Sequence, residues 1–491
     1  MPTNNTKQAV WVAIGSLCSF GFTIVSSMIL SRFFDKADYG TYKQVMYVYN
    51  TLLTVFTLGL PKAFSFFLPR VELRQSKSLI NKITSLFFIL GGVFSLFLFV
   101  LAPQISSFLK NPDLVKALRV FSIVPFLLLP TMGLDGILAS FKKSRFIALY
   151  HILTNVFKLI CVALPVMIWN LGYLEALWGF VGASFVTFLL ALYLKYLPIK
   201  NERNDSCDIT YKDIFRFSIP LLTASLWGIV ISSADQFFIS RFFGNEVFAD
   251  FSNGFIQLPF IGMITGACAT VLSPVFSKMS HERVDPQTVI YPLWVGVFEK
   301  SAKLVYPVII YCIVFADVVM IVLYGQQYAI SGSYFRIKLV VDFFSVIVYA
   351  PLIINIGKVR FYSHVHMFGA IMVVILEYLS VKTISSPLAV CWISVLCHLT
   401  RVFVMLWLVA RFFGLRIYDL FPIRLIFQIL IPSALFLLLE RWVLMDVLHL
   451  SSFVVLFAGF AVYIIIFICY SVLVKMDYIG IIKPMIKRND N

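Results

Sequence analysis

The chain has 491 residues, 60% of them hydrophobic and only 13% charged, with a mean hydropathy of +0.92. Water-soluble globular proteins carry about 25% charged residues, so this composition excludes a soluble enzyme, a secreted disulfide scaffold and a disordered chain. The formal net charge of +16 then reads as basic loops beside a membrane rather than as a nucleic-acid surface.

The fold class that remains is an all-α polytopic membrane protein, because long apolar blocks suit spanning helices and not the alternating strands of a barrel. A span needs about 20 mostly apolar residues. Windows of that kind predict 14 transmembrane helices, at 8–31, 44–67, 80–102, 115–140, 146–169, 173–196, 214–240, 247–277, 303–323, 331–355, 362–382, 387–410, 422–440 and 451–474. The first window has no A-x-A-like cleavage site before or after it, so it reads as a span and not as a signal peptide. The polar, charged stretch 195–213 is the clearest linker. In 278–302, Val289, Ile290, Leu293, Trp294 and Val297 recur at helical spacing and predict a helix lying along the membrane interface. The eight cysteines are scattered singly, without disulfide or metal spacing.

Basic residues orient the chain. With the N-terminus inside, 26 of the 40 Lys and Arg residues fall in inner loops and termini, including Lys483, Lys487 and Arg488 of a basic tail. Eleven fall outside, Lys43 among them, and Lys62, Lys158 and Arg401 lie within spans. This asymmetry predicts that both termini are cytoplasmic.

An internal echo suggests two lobes. Leu30-Ser31-Arg32-Phe33-Phe34 closes the first span and Ile239-Ser240-Arg241-Phe242-Phe243 closes the seventh, each followed by an acidic-polar turn and a helix ending near a proline, Pro61 or Pro274. The expected organisation is a six-helix lobe over 1–197, a cytoplasmic linker over 198–213, a second six-helix lobe over 214–412, and two extra helices with a basic tail over 413–491. Parallel repeats of this kind build two-lobed rocking transporters.

Ionisable groups at membrane depth cost at least about 2.5–3.5 kcal/mol each and mark candidate sites. Lys158 lies near mid-span, Arg401 sits mid-span with His398 one turn away, and Lys62 follows Pro61. Lys338 and Asp342, spaced i,i+4, are expected to neutralise each other, which leaves Arg336 without an obvious local partner. Lys158, Lys62, Arg336 and Arg401 are therefore the candidate lining of a hydrated cleft for an anionic substrate. Asp235 and Glu377 are candidates for ion coupling, with a solvated position near the outer interface as the simpler reading. Neither a G-x-x-x-x-G-K-[ST] loop nor an H-E-x-x-H pair occurs, and His364-x-His366 reads as structural. No catalytic residue, metal site or cofactor is predicted.

Four motifs carry a family resemblance. The first span with Asp38-Tyr39-Gly40-Thr41-Tyr42, the helix ending Val271-Leu272-Ser273-Pro274-Val275-Phe276-Ser277, the turn Leu323-Tyr324-Gly325 with Tyr328, and the loop Ile354-Asn355-Ile356-Gly357-Lys358-Val359-Arg360 together resemble the Wzx-type polysaccharide and O-antigen flippases. Those belong to the multidrug/oligosaccharidyl-lipid/polysaccharide exporter superfamily. The resemblance implies a non-enzymatic flippase of the inner membrane. It would move a polyprenyl-diphosphate-linked oligosaccharide from the inner to the outer leaflet by alternating access, for O-antigen, capsule or exopolysaccharide synthesis. It also implies membrane lipids, a polysaccharide polymerase and a chain-length regulator as partners, and no nucleic acid. Two alternatives stand beside it. A drug or cation antiporter of the same fold would favour acidic cavity residues, and a membrane-embedded polymerase or ligase would need a large outer loop.

Overall fold

The computed structural model describes residues 3–476 and 478, apart from 203 and 283. The basic tail with Lys483, Lys487 and Arg488 lies outside the described residues. Every regular element among the described residues is helical. Among the described residues, ten helices are long and apolar enough to cross a membrane, or up to twelve if each of two bent pairs is one span. The chain divides into two compact units, residues 1–249 and 250–491.

The first unit contains α1 (Thr3–Phe33), α2 (Lys36–Phe56), α3 (Pro61–Phe67), α4 (Leu73–Leu109), α5 (Leu114–Phe121), α6 (Val124–Leu128), α7 (Leu134–Ser140), α8 (Ser144–Lys158), α9 (Leu164–Trp169) and α10 (Tyr173–Tyr196). α11 (Tyr211–Gly254) then carries the chain across the division. Along α4 the buried stripe Ile80, Ile83, Phe87, Gly91, Phe94 and Leu98 repeats every three or four residues, the period of one helix face. Tyr49 and Phe56 of α2 stack on Phe94 with ring centroids 5.8 and 4.3 Å away. α10 presents Ala176, Ala183, Ser184, Thr187 and Ala191 to its neighbours. In an apolar solvent, small residues of this kind let helices approach closely enough for packing to hold them together.

A buried polar network ties α2, the turn after α4, and α11. The Gln44 amide donates to Ser240 Oγ at 2.8 Å, and the Asn111 amide donates to Gln44 Oε1 at 2.5 Å and Thr41 Oγ1 at 2.9 Å. Asn245 donates to the Ala37 carbonyl at 3.1 Å. The repeated motif therefore supplies structural contacts here. Ser240 completes the network, and Arg241 donates to the Phe108 carbonyl while lying over the Phe108 ring.

The second unit contains α12 (Pro259–His281), α13 (Tyr291–Val314), α14 (Ala316–Tyr324), α15 (Ser331–Ser345), α16 (Ala350–Asn355), α17 (Val359–Thr383), α18 (Pro387–Phe413), α19 (Ile423–Arg441) and α20 (Ser452–Leu473). Three expectations are corrected. The junction expected between 240 and 247 is a break inside α11 at Gly244, and the helix continues to Gly254 before Pro259 opens α12. The window 331–355 is divided between α15 and α16, with non-helical backbone between them. The interfacial helix expected within 278–302 is instead continuous with α13. Trp294 is buried beside Phe413 and Phe421 and donates its indole N–H to the Val348 carbonyl at 2.9 Å, so protein covers Ile290 and Trp294, while Val289 and Leu293 remain exposed. Asp285 caps this segment by accepting from the Thr288 N–H and hydroxyl, which holds its carboxyl below the usual carboxylate range.

Arg336 has a partner that local spacing does not reveal. Asp317, after the 79° bend that separates α13 from α14, accepts from Arg336 at 2.7 Å and from both terminal nitrogens of Arg441 at 2.7 and 2.8 Å. Lys338 and Asp342 stay within electrostatic range of each other without direct contact: Lys338 lies over the Phe255 ring at 4.7 Å, and Asp342 accepts from the Leu258 N–H. Arg441 belongs to the extra helices, so Asp317 also fastens α19 to the unit, and Tyr311 fastens α20 by donating to the Leu456 carbonyl at 2.7 Å. Removing a partner from a buried pair costs about 3–5 kcal/mol, and less where water reaches the site. Asp317→Ala should therefore destabilise the protein by about 1–3 kcal/mol, read as a lower thermal midpoint in detergent. An unchanged midpoint would remove this triad from the docking of α19.

Candidate functional site

The first unit encloses a cavity of about 280 Å³. Its wall is assembled from stripes at helical spacing: Thr23, Ser26, Ser27 and Leu30 of α1; Lys43, Met46 and Asn50 of α2; and Asn155, Lys158, Leu159 and Val162 at and after the end of α8. Phe180 of α10 and Tyr42 complete it. The stripes follow the i, i+3, i+4, i+7 pattern that puts side chains on one helix face, and each brings polar groups to the cavity.

Two lysines share this space. Lys43 Nζ lies 3.5 Å from Ser27 Oγ and 5.1 Å from the centre of the Tyr39 ring. Lys158 Nζ stands 5.3 Å from the Phe180 ring, and among the described residues no carboxylate or hydrogen-bond acceptor engages it. Ring faces stabilise a cation by roughly 0.5–2 kcal/mol, well short of a full counter-charge. Asn155 fixes the α8 wall by donating to Ser19 Oγ at 3.1 Å and to the His151 carbonyl at 2.8 Å.

Local chemistry explains why the helix changes character beside Lys158. Pro165 has no N–H to offer the Cys161 carbonyl, and residues Leu159–Ala163 widen into a π turn. The Cys161 carbonyl is approached by Gly179 so closely that a Cβ there would sit 2.0 Å from the oxygen, a separation only glycine permits. The widened turn carries Leu159 and Val162 into the cavity wall next to the ammonium.

The other candidates lie elsewhere. Lys62 is exposed on α3 and does not line the cavity. Arg336 is engaged by Asp317. Asp235 in α11 and Glu377 in α17 are 5% and 0% exposed, so neither takes the solvated position that offered the simpler reading. Asp235 lies within electrostatic range of Tyr47 in the first unit. Arg401 is buried in the second unit with its guanidinium 3.1 Å from His398 Nδ1. The charge count assigned Lys43 to an outer loop; the readable signal was its spacing to Asn50 on one helix face, i to i+7.

Comparison with known proteins gives a consistent picture. A family profile described as polysaccharide biosynthesis protein matches residues 6–280. The succinoglycan biosynthesis transport protein ExoT of Rhizobium meliloti (strain 1021) is 21% identical over 335 residues, which cover 67% of this chain and 65% of that protein, so the match spans just under two thirds of the curated relative's length. Among solved structures, the lipid II flippase MurJ in an inward closed conformation matches with a TM-score of 0.71 at 13% identity, over 96% of this chain and all of that one. An inward-facing multidrug resistance transporter of the MATE family matches with a TM-score of 0.62 at 15% identity, over 83% of this chain and 98% of that one. These likenesses establish the fold.

An uncompensated cation in a folded interior weakens the fold that holds it. Lys158→Met, which keeps the stem and removes the charge, should leave the thermal midpoint unchanged or raise it. A clear fall would identify Lys158 as a structural residue.

Proposed function

This chain belongs to the polysaccharide biosynthesis protein family, and from that premise we propose that it is a flippase for a polyprenyl-diphosphate-linked oligosaccharide, moving it from the inner to the outer leaflet of the cytoplasmic membrane by alternating access. A diphosphate with several sugars cannot enter hydrocarbon, because stripping water from its charges costs many kcal/mol. A polar cavity with preplaced cations substitutes for that water, while the polyprenyl tail remains in lipid. The observation that carries this reading is the pairing of Lys43 and Lys158 in one cavity whose lining, among the described residues, holds no carboxylate. Two ammonium groups flanked by Ser27, Asn50 and Tyr42 suit a ligand with two phosphates, with the side-chain hydroxyls and the Asn50 amide available to sugar or phosphate oxygens.

The remaining assignments follow the same reading. The protein moves its cargo without breaking covalent bonds, so it has no catalytic residue. The basic-residue asymmetry supports cytoplasmic termini. Lys62 and Arg336 stand apart from the cavity and contribute to substrate attraction and to lobe integrity. Asp235 and Glu377, buried carboxyl residues, are the proposed ion-coupling groups. A cationic lining also disfavours export of cationic drugs by this chain, since like charges would meet in the site.

Losing one charge-assisted contact to a buried phosphate costs about 2–5 kcal/mol, so Lys158→Met and Lys43→Met should each slow transport at least tenfold. Reconstituted vesicles with a fluorescent polyprenyl-diphosphate oligosaccharide read this directly, and membrane abundance of the variants is measured alongside. Transport at the wild-type rate in both variants would remove the lysine cavity from the mechanism.

A further inference from the structure

Arg401 is central in α18, 14 residues from its first residue Pro387 and thus about 21 Å along the helix. It is nine-tenths buried, and its Nε has no hydrogen-bond partner. Its position is built into the neighbouring helix. A Cβ on Gly369 of α17 would lie 2.1 Å from Arg401 Cδ, so the arginine lies in a notch that any other residue would fill. The guanidinium reaches His398 Nδ1 at 3.1 Å. Arginine can only donate, so Nδ1 accepts and the imidazole proton resides on Nε2. That N–H becomes a donor polarised by the charge behind it.

His398 forms part of the wall of a cavity of about 350 Å³ in the second unit, with Thr265, Ser345 and Tyr349. The groups within electrostatic range of His398 are Arg401, Lys338 and His366, and Tyr349 and Tyr362 stand in range of Arg401. His366 Nε2 is buried without a partner. Among the described residues no carboxylate bonds Arg401 or His398; Asp342, on the helix of Lys338, accepts instead from the Leu258 N–H at 3.2 Å. Cys397 also stands in range of Arg401; like the two tyrosines it is neutral, and a guanidinium buried at this depth without a bonded carboxylate calls for an anion to balance it.

We propose that His398, backed by Arg401, is an oxyanion site that accepts a carboxylate or phosphate group from the cavity side. On the transport reading, the ligand is an acidic group carried by the glycan, separate from the diphosphate held in the first unit. The inference deepens that reading, yet its test uses no transport measurement, so the two can fail independently.

Purified full-length protein is melted in phosphate-free buffer, with inorganic phosphate, and with sodium glucuronate. Wild type and Lys158→Met should both melt higher by several degrees with glucuronate, whereas Arg401→Gln and His398→Gln should not respond. Without added anion, Arg401→Gln should melt no lower than wild type, because it sheds an uncompensated charge. Stabilisation by glucuronate alone assigns the site to a sugar acid, and equal stabilisation by phosphate assigns it to oxyanions generally. Equal responses in wild type, Arg401→Gln and His398→Gln, or no response in wild type, would overturn the proposal. Should Arg401→Gln fail to fold, His398→Gln alone decides by the presence or absence of its response.

Discussion

A lysine ammonium without a counter-ion, held among helices that are otherwise apolar, is the constraint around which the first unit is arranged. Such a group costs several kcal/mol unless water or a ligand solvates it, so its neighbours must supply either an acid or a cavity. Around Lys158 they supply a cavity. The Phe180 ring offers partial compensation, and Lys43 adds a second positive charge where a structural solution would have placed an aspartate. Stability is thus sacrificed locally for an unmet electrostatic demand, the condition under which a buried charge points to function.

The rest of the unit holds this demand in place. Small residues along α10 let it pack closely, Pro165 and Gly179 permit the π turn beside Lys158, and the Gln44–Asn111–Ser240 network fixes α2 behind Lys43. In the second unit the same physics takes two forms. Arg336 and Arg441 are both bonded to one aspartate and serve architecture, whereas Arg401 has a glycine notch and an imidazole and, among the described residues, no bonded carboxylate. Charge alone does not separate these roles; the identity of the partner does.

Much of this was legible in the sequence, for a definite reason. Hydropathy reports what lipid demands of a helix, so the all-helical class and most spans could be read directly. Lys158 stood out because a charge in an apolar window is rare. Partners distant in sequence could not be read this way: Arg336 meets Asp317 across a sharp bend, and Lys338 turns from Asp342 to an aromatic ring. Trp294 looked interfacial because periodicity identifies an apolar face without saying whether lipid or protein will cover it. Lys43 was hidden by counting it as a loop charge, although its i, i+7 spacing to Asn50 already placed two polar groups on one helix face. The break in α11 at Gly244 and the division of 331–355 also escaped hydropathy, which averages over a window longer than a kink.

The central claim is that the Lys43–Lys158 cavity is hydrated and receives a phosphorylated lipid. The most direct measurement places a single cysteine at position 158 in a background without the eight native cysteines and follows its reaction with a charged, water-borne thiol reagent. The account predicts steady modification from water, slowed by added polyprenyl diphosphate and unaffected by polyprenol lacking phosphate. A cysteine that resists the charged reagent but reacts with a membrane-soluble one, indifferent to the diphosphate, would show that position 158 faces lipid and would contradict the account.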